Sequence, residues 1–433
     1  MTDALLDADR HHVWHPFTQH AWWPEDNPLV ITRADGVRLY DDAGREYIDG
    51  FSSLWVTVHG HNEPRINEAI ARQAATLDHS TFLGFTHEPG IRLAQALVAR
   101  SPEPLTRVFF AGDGSSAVEA GIKMAYQAKM QQGQSRPLYI HVAEGYHGDT
   151  LGAVSVGGID IFHHTYKPIL LDTRMVSSPG VRRPGQSPAD RAAEVLAELR
   201  ALLEEVGDQV CAIVVEPLVQ AAAGMLTHDV SFLRGVRELS TEFGAYLLTD
   251  EVATGIGRTG AMWAVEHADI APDLLTCGKG LTGGVLPLSA VLTTDEIYES
   301  FLGDASRTFF HGHSYTANPL CAAAALANLE LMDERDTVAH AAWIGRTLED
   351  LLKPLDADDR VVEVRRIGTM TGIEVVPHGE RTGFRICTAA RDFGVITRPL
   401  GDVVILMPPL GITEPDLQQL VSAIMRGMDT VYA

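Results

Sequence analysis

The amino-acid sequence predicts an α/β fold in which a large, mainly parallel sheet carries helices on both faces. From about residue 105, apolar runs of strand length alternate with segments of helical periodicity, which is typical of crossover units. The predicted strands are 107–110, 138–141, 212–215, 246–249 and 286–292. The chain has 433 residues, more than the roughly 250–300 at which one core stops growing. At least two structural lobes are therefore expected.

The two ends of the chain are predicted to form a smaller α+β lobe. Near the start, apolar stretches at 29–32 and 37–40 flank Ala34-Asp35-Gly36, which indicates a hairpin. After about residue 330 a helix is followed by short strands and by a final helix that begins near Thr413. We expect an N-terminal segment of the small domain at 1–60, a large domain at 61–330 and a C-terminal small domain at 331–433.

Composition and charge exclude several classes of protein. Asp and Glu number 57 against 34 Lys and Arg, a formal net charge of −23, and such a surface repels nucleic acid. No apolar run reaches the roughly 18–20 residues that span a bilayer, and the start of the sequence lacks the features of a signal peptide. We therefore expect a cytoplasmic protein without nucleic-acid or membrane partners. The cysteines and histidines fit no metal-ligand spacing, so no metal site is expected.

A glycine-rich turn follows the first strand of the predicted sheet. The strand that ends at Phe110 runs into Gly112-Asp113-Gly114-Ser115-Ser116, where a helix-periodic segment begins. Free backbone N–H groups and the helix dipole favour an anion such as phosphate at this position. Taken alone, the segment fits an ordinary capped turn at least as well.

Three further segments carry candidate site residues. Tyr146 and His147 lie between glycines beyond a strand, where an aromatic ring can stack on a planar ligand, although alone they fit a surface turn better. Asp250 ends a buried strand and needs a cationic partner, such as a protonated pyridine nitrogen. Lys279 lies among glycines, as expected of a lysine that forms a Schiff base with a bulky ring. Without Asp250, a solvated loop lysine would be equally plausible.

In chain order these four segments resemble the class III aminotransferases of pyridoxal-phosphate (PLP) fold type I, above all at 248–255. The resemblance implies an aminotransferase with pyridoxal 5'-phosphate on Lys279, and catalytic roles for Lys279, Asp250 and Tyr146. The implied cofactor contacts are Gly114, Ser115, Tyr146, His147, Glu216, Asp250, Lys279 and Ser314. Ser314 would reach the phosphate of a neighbouring subunit, so a homodimer with active sites at the interface is implied. The partners would be a small amino donor and a keto acceptor.

A competing motif is Gly255-Ile256-Gly257-Arg258-Thr259-Gly260, which matches the dinucleotide fingerprint. Asp250 and Glu251 intervene after the strand, and no acid lies about 20 residues beyond Gly260 to hold a ribose. A dehydrogenase is therefore disfavoured. A non-catalytic protein that uses its glycine loops structurally remains an alternative.

Within the family, segments spread over the chain resemble the diaminopelargonate synthases, which aminate 8-amino-7-oxononanoate in biotin synthesis. These segments are 14–18, 51–55, 58–61, 311–314 and 397–402. The implied substrate contacts are Phe17, Leu54, Trp55, Tyr146, Gly312 and Arg398. Arg398 would receive the substrate carboxylate, since arginine can hold a carboxylate bidentately. Asp402 is the alternative partner for Arg398.

The expected amino donor is L-lysine. Family members that use S-adenosylmethionine usually have tryptophan where Leu54 stands, tyrosine at the positions of Phe17 and Ile405, and Pro-Thr at 313–314. This chain is more similar to the lysine-using branch. The alternative is another ω-amino-acid transaminase, or an aminomutase on the same scaffold, and a preference for long keto acids would discriminate between these hypotheses.

Overall fold

A computed structural model describes residues 2–433, with side chains from residue 4 onward. Met1, the first residue of the predicted N-terminal segment, lies outside the described residues. The α-helices are α1 (Thr2–His12), α2 (Ser52–Trp55), α3 (Pro64–Thr76), α4 (Glu88–Val98), α5 (Gly114–Gln131), α6 (Leu151–Ser155), α7 (Asp160–His163), α8 (Pro188–Val206), α9 (Val230–Glu242), α10 (Asp295–Ser300), α11 (Pro319–Glu334), α12 (Thr337–Leu352), α13 (Thr382–Ala390) and α14 (Glu414–Tyr432).

The strands are β1 (Ile31–Asp35), β2 (Arg38–Asp41), β3 (Glu46–Asp49), β4 (Leu105–Ala111), β5 (Leu138–Val142), β6 (Thr173–Val176), β7 (Val210–Val215), β8 (Val219–Gln220), β9 (Leu226–Thr227), β10 (Tyr246–Asp250), β11 (Leu274–Cys277), β12 (Ser289–Thr294), β13 (Val361–Ile367), β14 (Met370–Val375), β15 (Val395–Ile396), β16 (Pro399–Leu400) and β17 (Val403–Leu406).

The largest sheet has seven strands in the order β4-β12-β11-β10-β7-β5-β6. Neighbouring strands from β11 to β6 are parallel, and β12 is antiparallel to both β11 and β4. The strand predicted at 286–292 begins only at Ser289. Leu286 precedes it in a turn, because its carbonyl oxygen accepts a hydrogen bond from the Thr282 hydroxyl at 2.5 Å.

Both faces of this sheet are covered by helices. Leu247 of β10 packs in a core cluster with Leu199 of α8 and Phe232 of α9. The next residue, Leu248, points to the opposite face and packs with Val118 of α5. Burial on both faces explains why these strands are continuous apolar runs rather than alternating ones. The predicted α/β fold is confirmed.

The ends of the chain meet in the smaller sheets. One sheet has the order β1-β2-β3-β15, in which β1 and β2 form the predicted antiparallel hairpin. Its last two strands are parallel and join the chain ends, with Ile48 beside Val395. A second sheet has the order β13-β14-β17-β16. The predicted small α+β lobe from both termini is confirmed, and its boundaries at residues 60 and 330 remain a prediction.

Further features concern membranes, metals and thiols. No helix in residues 2–433 is long and apolar enough to cross a membrane. The same residues include no group of three His, Cys, Asp or Glu side chains that could hold a metal ion. All four cysteines are buried and free, as small apolar side chains in a core.

Candidate active site

A cavity of about 490 Å³ opens at the carboxyl edge of the large sheet. The candidate residues come from the ends of five strands, since β4, β5, β7, β10 and β11 run parallel and end at this edge. The predicted cofactor contacts that line the cavity are Gly114, Ser115, Tyr146, His147, Glu216, Asp250 and Lys279. Ser314 is not among the lining residues. The strand order of the fold therefore brings residues from distant parts of the sequence to one site.

The start of α5 is a tight turn with free backbone N–H groups, a geometry suited to an anion. The Asp113 side chain accepts a hydrogen bond from the Ser116 N–H at 2.9 Å, which leaves the first-turn N–H groups of Gly114 and Ser115 free of intrahelical partners. A Cβ at Gly114 would lie 2.7 Å from Cγ1 of Val252, so a larger residue there would require Val252 to move. The Ser115 hydroxyl accepts a hydrogen bond from the Thr150 N–H at 3.0 Å. The turn fits a phosphate group.

Asp250 lies buried at the floor of the cavity. Its Oδ2 accepts a hydrogen bond from Nδ1 of buried His147 at 2.8 Å. Its Oδ1 accepts from the Val252 N–H at 3.0 Å and from the Thr276 hydroxyl at 3.2 Å. Burial opposes the charged form of His147, but the hydrogen bond and negative charge of Asp250, together with the charge of Glu216, outweigh burial and raise the pKa of His147. The carboxylate is therefore held in one orientation, and it can pair with a protonated ring nitrogen.

Lys279 follows β11 and has a left-handed backbone, with φ of 44°. The Asn328 amide donates hydrogen bonds to the carbonyls of Gly280 at 3.1 Å and Leu281 at 3.0 Å, and so fixes the turn behind the lysine. Burial lowers the pKa of Lys279, and the carboxylates of Asp250 and Glu216 only partly oppose this shift. A lowered pKa favours the neutral amine, which is the form that attacks a carbonyl carbon.

Glu216 and Tyr146 form one side of the cavity. The two Glu216 carboxylate oxygens accept hydrogen bonds from the N–H groups of Tyr146 at 2.9 Å and Ala221 at 3.0 Å, and burial raises the pKa of Glu216 to about 7. The Tyr146 hydroxyl donates to Asp149 at 2.9 Å. Burial raises the pKa of Tyr146 above its usual value, so this ring stays neutral. Sequence analysis did not single out Asp149, although it lies in the same segment.

Trp55 reaches the cavity from the short element α2. Four consecutive residues, Ser52, Ser53, Leu54 and Trp55, have φ of 53°, 48°, 76° and 70°, so α2 is a single left-handed turn. This conformation costs roughly 1–2 kcal/mol per non-glycine residue. The Trp55 side chain is buried beside Lys279, whose Nζ lies 5.3 Å from the indole ring centroid. Leu54 points outward and is exposed, and it does not line the cavity.

Phe17 contacts the cavity lining only indirectly, by way of a second aromatic ring. Phe17 itself is largely exposed. It contacts Phe162 edge to face, with ring centroids 5.5 Å apart, and Phe162 contacts Tyr146 in the same way at 6.0 Å. Sequence analysis missed Phe162, because one aromatic residue in a helix of four residues carries no recognisable pattern.

Arg398 lies partly buried in the small lobe, outside the cavity lining. The alternative partner Asp402 accepts a hydrogen bond through Oδ1 from the Gly383 N–H at 2.9 Å. Burial lowers the pKa of Arg398, and Cys387 and Tyr146 are the groups that oppose it. Gly312 and Ser314 are exposed and away from the cavity lining.

The dinucleotide-like segment at 255–260 is part of the packed interior. Arg258 is buried and donates hydrogen bonds to the carbonyls of Thr57 at 2.7 Å and Pro408 at 2.8 Å. A Cβ at Gly260 would lie 3.2 Å from the Ala342 Cβ. These glycines therefore serve close packing between segments rather than ligand binding.

Comparison with known proteins identifies relatives along nearly the whole chain. The family model for class-III aminotransferases matches residues 21–428. An adenosylmethionine-8-amino-7-oxononanoate aminotransferase from Nitratidesulfovibrio vulgaris is 46% identical over 98% of this chain and 81% of its own. The crystal structure of a protein of the same name from Methanocaldococcus jannaschii has a TM-score of 0.93 at 38% identity, over 99% of both chains. An amine transaminase from an uncultivated Pseudomonas species, solved with PLP bound, has a TM-score of 0.92 at 32% identity, over 97% of this chain and 98% of that one.

Proposed function

The chain belongs to the class III aminotransferase family, and on that premise we propose that it transfers an amino group from L-lysine to 8-amino-7-oxononanoate in biotin synthesis. Family membership confirms the predicted aminotransferase activity and the predicted cofactor, pyridoxal 5'-phosphate. The observation that carries the proposal is the cavity in which the Lys279 amine, the Asp250 carboxylate and the α5 turn lie together. The Lys279 amine suits the aldehyde of that cofactor, the Asp250 carboxylate suits its ring nitrogen, and the α5 turn suits its phosphate.

The cofactor, when bound, withdraws electrons from the carbon that carries the donor amine and makes its proton transferable. The chain supplies the surroundings for that step. Asp250, oriented by His147, keeps a positive charge on the ring nitrogen. The N–H groups of Gly114 and Ser115 bind the phosphate. Lys279 holds the cofactor at rest and then moves the proton through Nζ, a role suited to an amine whose pKa is lowered.

Both substrates use the same cavity in turn, so we expect ping-pong kinetics. Trp55 and Tyr146 place aromatic rings in the cavity lining, and Glu216, in the same lining, orients the ring of the cofactor from the side. Arg398 suits the carboxylate of a long apolar acid. The names of the relatives from Nitratidesulfovibrio vulgaris and Methanocaldococcus jannaschii support the same acceptor.

We further infer a homodimer in which Ser314 reaches the phosphate of the neighbouring subunit. Ser314 and Gly312 are exposed and do not line the cavity of their own chain. A role for them at the cofactor therefore requires a second copy. Size determination in solution, with and without the cofactor, tests this assembly, and a monomeric active enzyme would contradict it.

The choice of lysine as donor rests on groups that the chain lacks. Phe17 offers no hydroxyl group, and Leu54 offers no second indole ring to stack on an adenine. A lysine donor needs neither. The names of the relatives point instead to adenosylmethionine, so the two donors have to be compared directly.

The test is a pair of half-reactions followed by the absorbance of the bound cofactor. The loaded enzyme is mixed with L-lysine or with S-adenosylmethionine, and 8-amino-7-oxononanoate is then added while the diamine product is measured by mass spectrometry. We expect conversion with lysine. Conversion with S-adenosylmethionine alone would contradict the donor assignment, and absence of the diamine with both donors would contradict the acceptor.

A second candidate is an amine transaminase that acts on other keto compounds. The likeness to the Pseudomonas amine transaminase, with a TM-score of 0.92, favours it. A screen of keto acids of increasing length separates the two candidates. Higher kcat/KM for the long amino-keto acid than for pyruvate supports the proposed acceptor, and the reverse order supports the amine transaminase.

A further inference from the structure

We propose that Asp49, assisted by His61, is a positioning residue that sets Trp55 in the cavity wall by holding the left-handed turn α2, and so controls the affinity for the keto-acid substrate. The inference rests on the proposed function, since it takes the cavity beside Lys279 as the substrate site. Asp49 and His61 do not line that cavity. They act through Trp55.

The Asp49 carboxylate binds the turn at several points. Asp49 ends β3 and is fully buried. Its Oδ1 accepts hydrogen bonds from the N–H groups of Ser53 at 2.9 Å and Phe51 at 3.4 Å. Its Oδ2 accepts from the Ser53 hydroxyl at 2.7 Å and lies 2.9 Å from Nε2 of His61. One carboxylate thus fixes both the backbone and the side chain of Ser53.

The turn depends on such contacts because its backbone is unfavourable by itself. All its residues lie in the left-handed region and none is glycine, a state that persists only where the surrounding structure imposes it. A second contact comes from the Ser52 hydroxyl, which donates to the Met407 carbonyl at 2.6 Å. The N–H of Trp55 closes the turn by donating to the Phe51 carbonyl at 2.8 Å. Removal of the Asp49 contacts should let the turn relax.

The indole ring has no polar anchor of its own. Its Nε1 atom is buried and has no hydrogen-bond partner within the described part of the chain. The ring therefore lies where the turn backbone places it, with its face toward Nζ of Lys279. A relaxed turn would move a large apolar wall in contact with substrate, while the hydrogen bonds of Asp250 and the turn at the start of α5 would be unchanged.

The test measures KM and kcat of the cofactor-loaded Asp49→Asn enzyme with 8-amino-7-oxononanoate. Loss of charge-assisted hydrogen bonds should raise KM for this substrate roughly tenfold, with cofactor content nearly unchanged. Asp41→Asn is the matched control. Asp41 is also buried in the same sheet and accepts hydrogen bonds from two backbone N–H groups and from the Tyr47 hydroxyl, but it lies away from the cavity. It should lower Tm and leave KM unchanged.

A double-mutant cycle with Trp55→Ala separates positioning from a general loss of structure. Once the indole is absent, Asp49→Asn should add no further increase in KM. If the increase in KM in the double variant equalled the product of the two single increases, the proposal would be overturned. An unchanged KM in Asp49→Asn would also overturn it. If Asp49→Asn does not fold, Ser53→Ala and His61→Gln replace it in the same cycle, with smaller shifts in the same direction expected.

Failure of the proposed function would be recognised separately, as a wild-type enzyme that does not aminate 8-amino-7-oxononanoate. The cycle is then measured with the best acceptor from the keto-acid screen. The same coupling between Asp49 and Trp55 is expected there, and its absence would overturn the inference.

Discussion

The two halves of the candidate site are built in different ways. At the sheet edge, Asp250 and Glu216 are buried, follow parallel strands and accept two or more hydrogen bonds each. At the rim, Phe17 and Leu54 are exposed and belong to loops or strained turns. A buried, hydrogen-bonded edge suits a cofactor with one position, and an exposed rim suits contact with the substrates. Substitutions at the edge should therefore reduce turnover, and substitutions at the rim should reduce substrate affinity.

The largest effect is expected for Lys279→Ala. Without the amine no group can hold the cofactor covalently or move the proton, so turnover should fall to background and the yellow colour of the loaded enzyme should be lost. Circular dichroism should show an intact fold. The control is Lys353→Ala, at an exposed lysine paired with Asp350, which should retain activity. Appreciable turnover in Lys279→Ala would remove the central assignment.

Asp250→Asn should have the next largest effect. A neutral amide can still accept hydrogen bonds, but it does not stabilise a positive charge on the ring nitrogen, so kcat should fall by roughly 100-fold or more. Asp273→Asn is a suitable comparison, because Asp273 lies at the opposite edge of the same sheet, where it accepts from the Leu247 N–H at 2.7 Å. Equal losses of kcat in the two variants would mean that Asp250 acts only on stability.

At the rim, Arg398→Ala should raise KM for the keto acid by about 10–100-fold with a smaller change in kcat, since a bidentate contact to a carboxylate is lost. Steady-state kinetics with the keto acid and with a shorter aldehyde lacking the carboxylate provide the measurement. The KM for the aldehyde should be the same in Arg398→Ala and in wild type. Arg385→Ala, in the same lobe and bonded to the His378 carbonyl, is the control. If Arg398→Ala lowered kcat and left KM unchanged, Arg398 would affect turnover rather than substrate affinity, and its assignment to the substrate carboxylate would be wrong.

The smallest effect concerns the pH dependence of stability at Glu216. Burial raises the pKa of Glu216 to about 7 from the usual 4.5, so the folded chain binds this proton more tightly than the unfolded chain. The contribution of this group to the free energy of unfolding is therefore fully present below about pH 4.5, and it is lost as the pH rises to about 7. Glutamine does not titrate. The Tm of Glu216→Gln minus the Tm of wild type should therefore increase as the pH is raised from about 4.5 to about 7.

Glu251→Gln provides the matched comparison for that experiment. Burial also raises the pKa of Glu251 to about 7, but Glu251 binds the backbone at Ala264 and Val265, away from the cavity. Glu251→Gln should show the same trend in Tm with pH. A relative Tm that does not change with pH in either variant would contradict the raised pKa values.

The sheet-edge half could be predicted from sequence because its signals are local. Each residue there follows a strand that is an unbroken apolar run, and parallel strands bring their carboxyl ends together. The pattern around Asp250 and the glycines around Lys279 need no knowledge of distant contacts. The predicted cofactor contacts accordingly reach one cavity, apart from Ser314.

The rim could not be predicted in the same way, because long-range contacts determine it. The left-handed turn at Ser52–Trp55 contains no glycine and depends on a hydrogen bond to Met407, 355 positions away. Phe162 enters the site only through packing between Phe17 and Tyr146. Local preference gives no indication of either feature, since tertiary contacts override it.

The parallel pairing of Ile48 with Val395 affects how the protein is made. Strand β3 leaves the ribosome early, but its partner β15 emerges only after several hundred more residues, which takes tens of seconds at roughly 5–20 residues per second. Until then the edge of β3 is unpaired and open to other chains. Nascent chains stalled before β15 should consequently recruit chaperones and be digested by protease at the hairpin, whereas the finished polypeptide resists both.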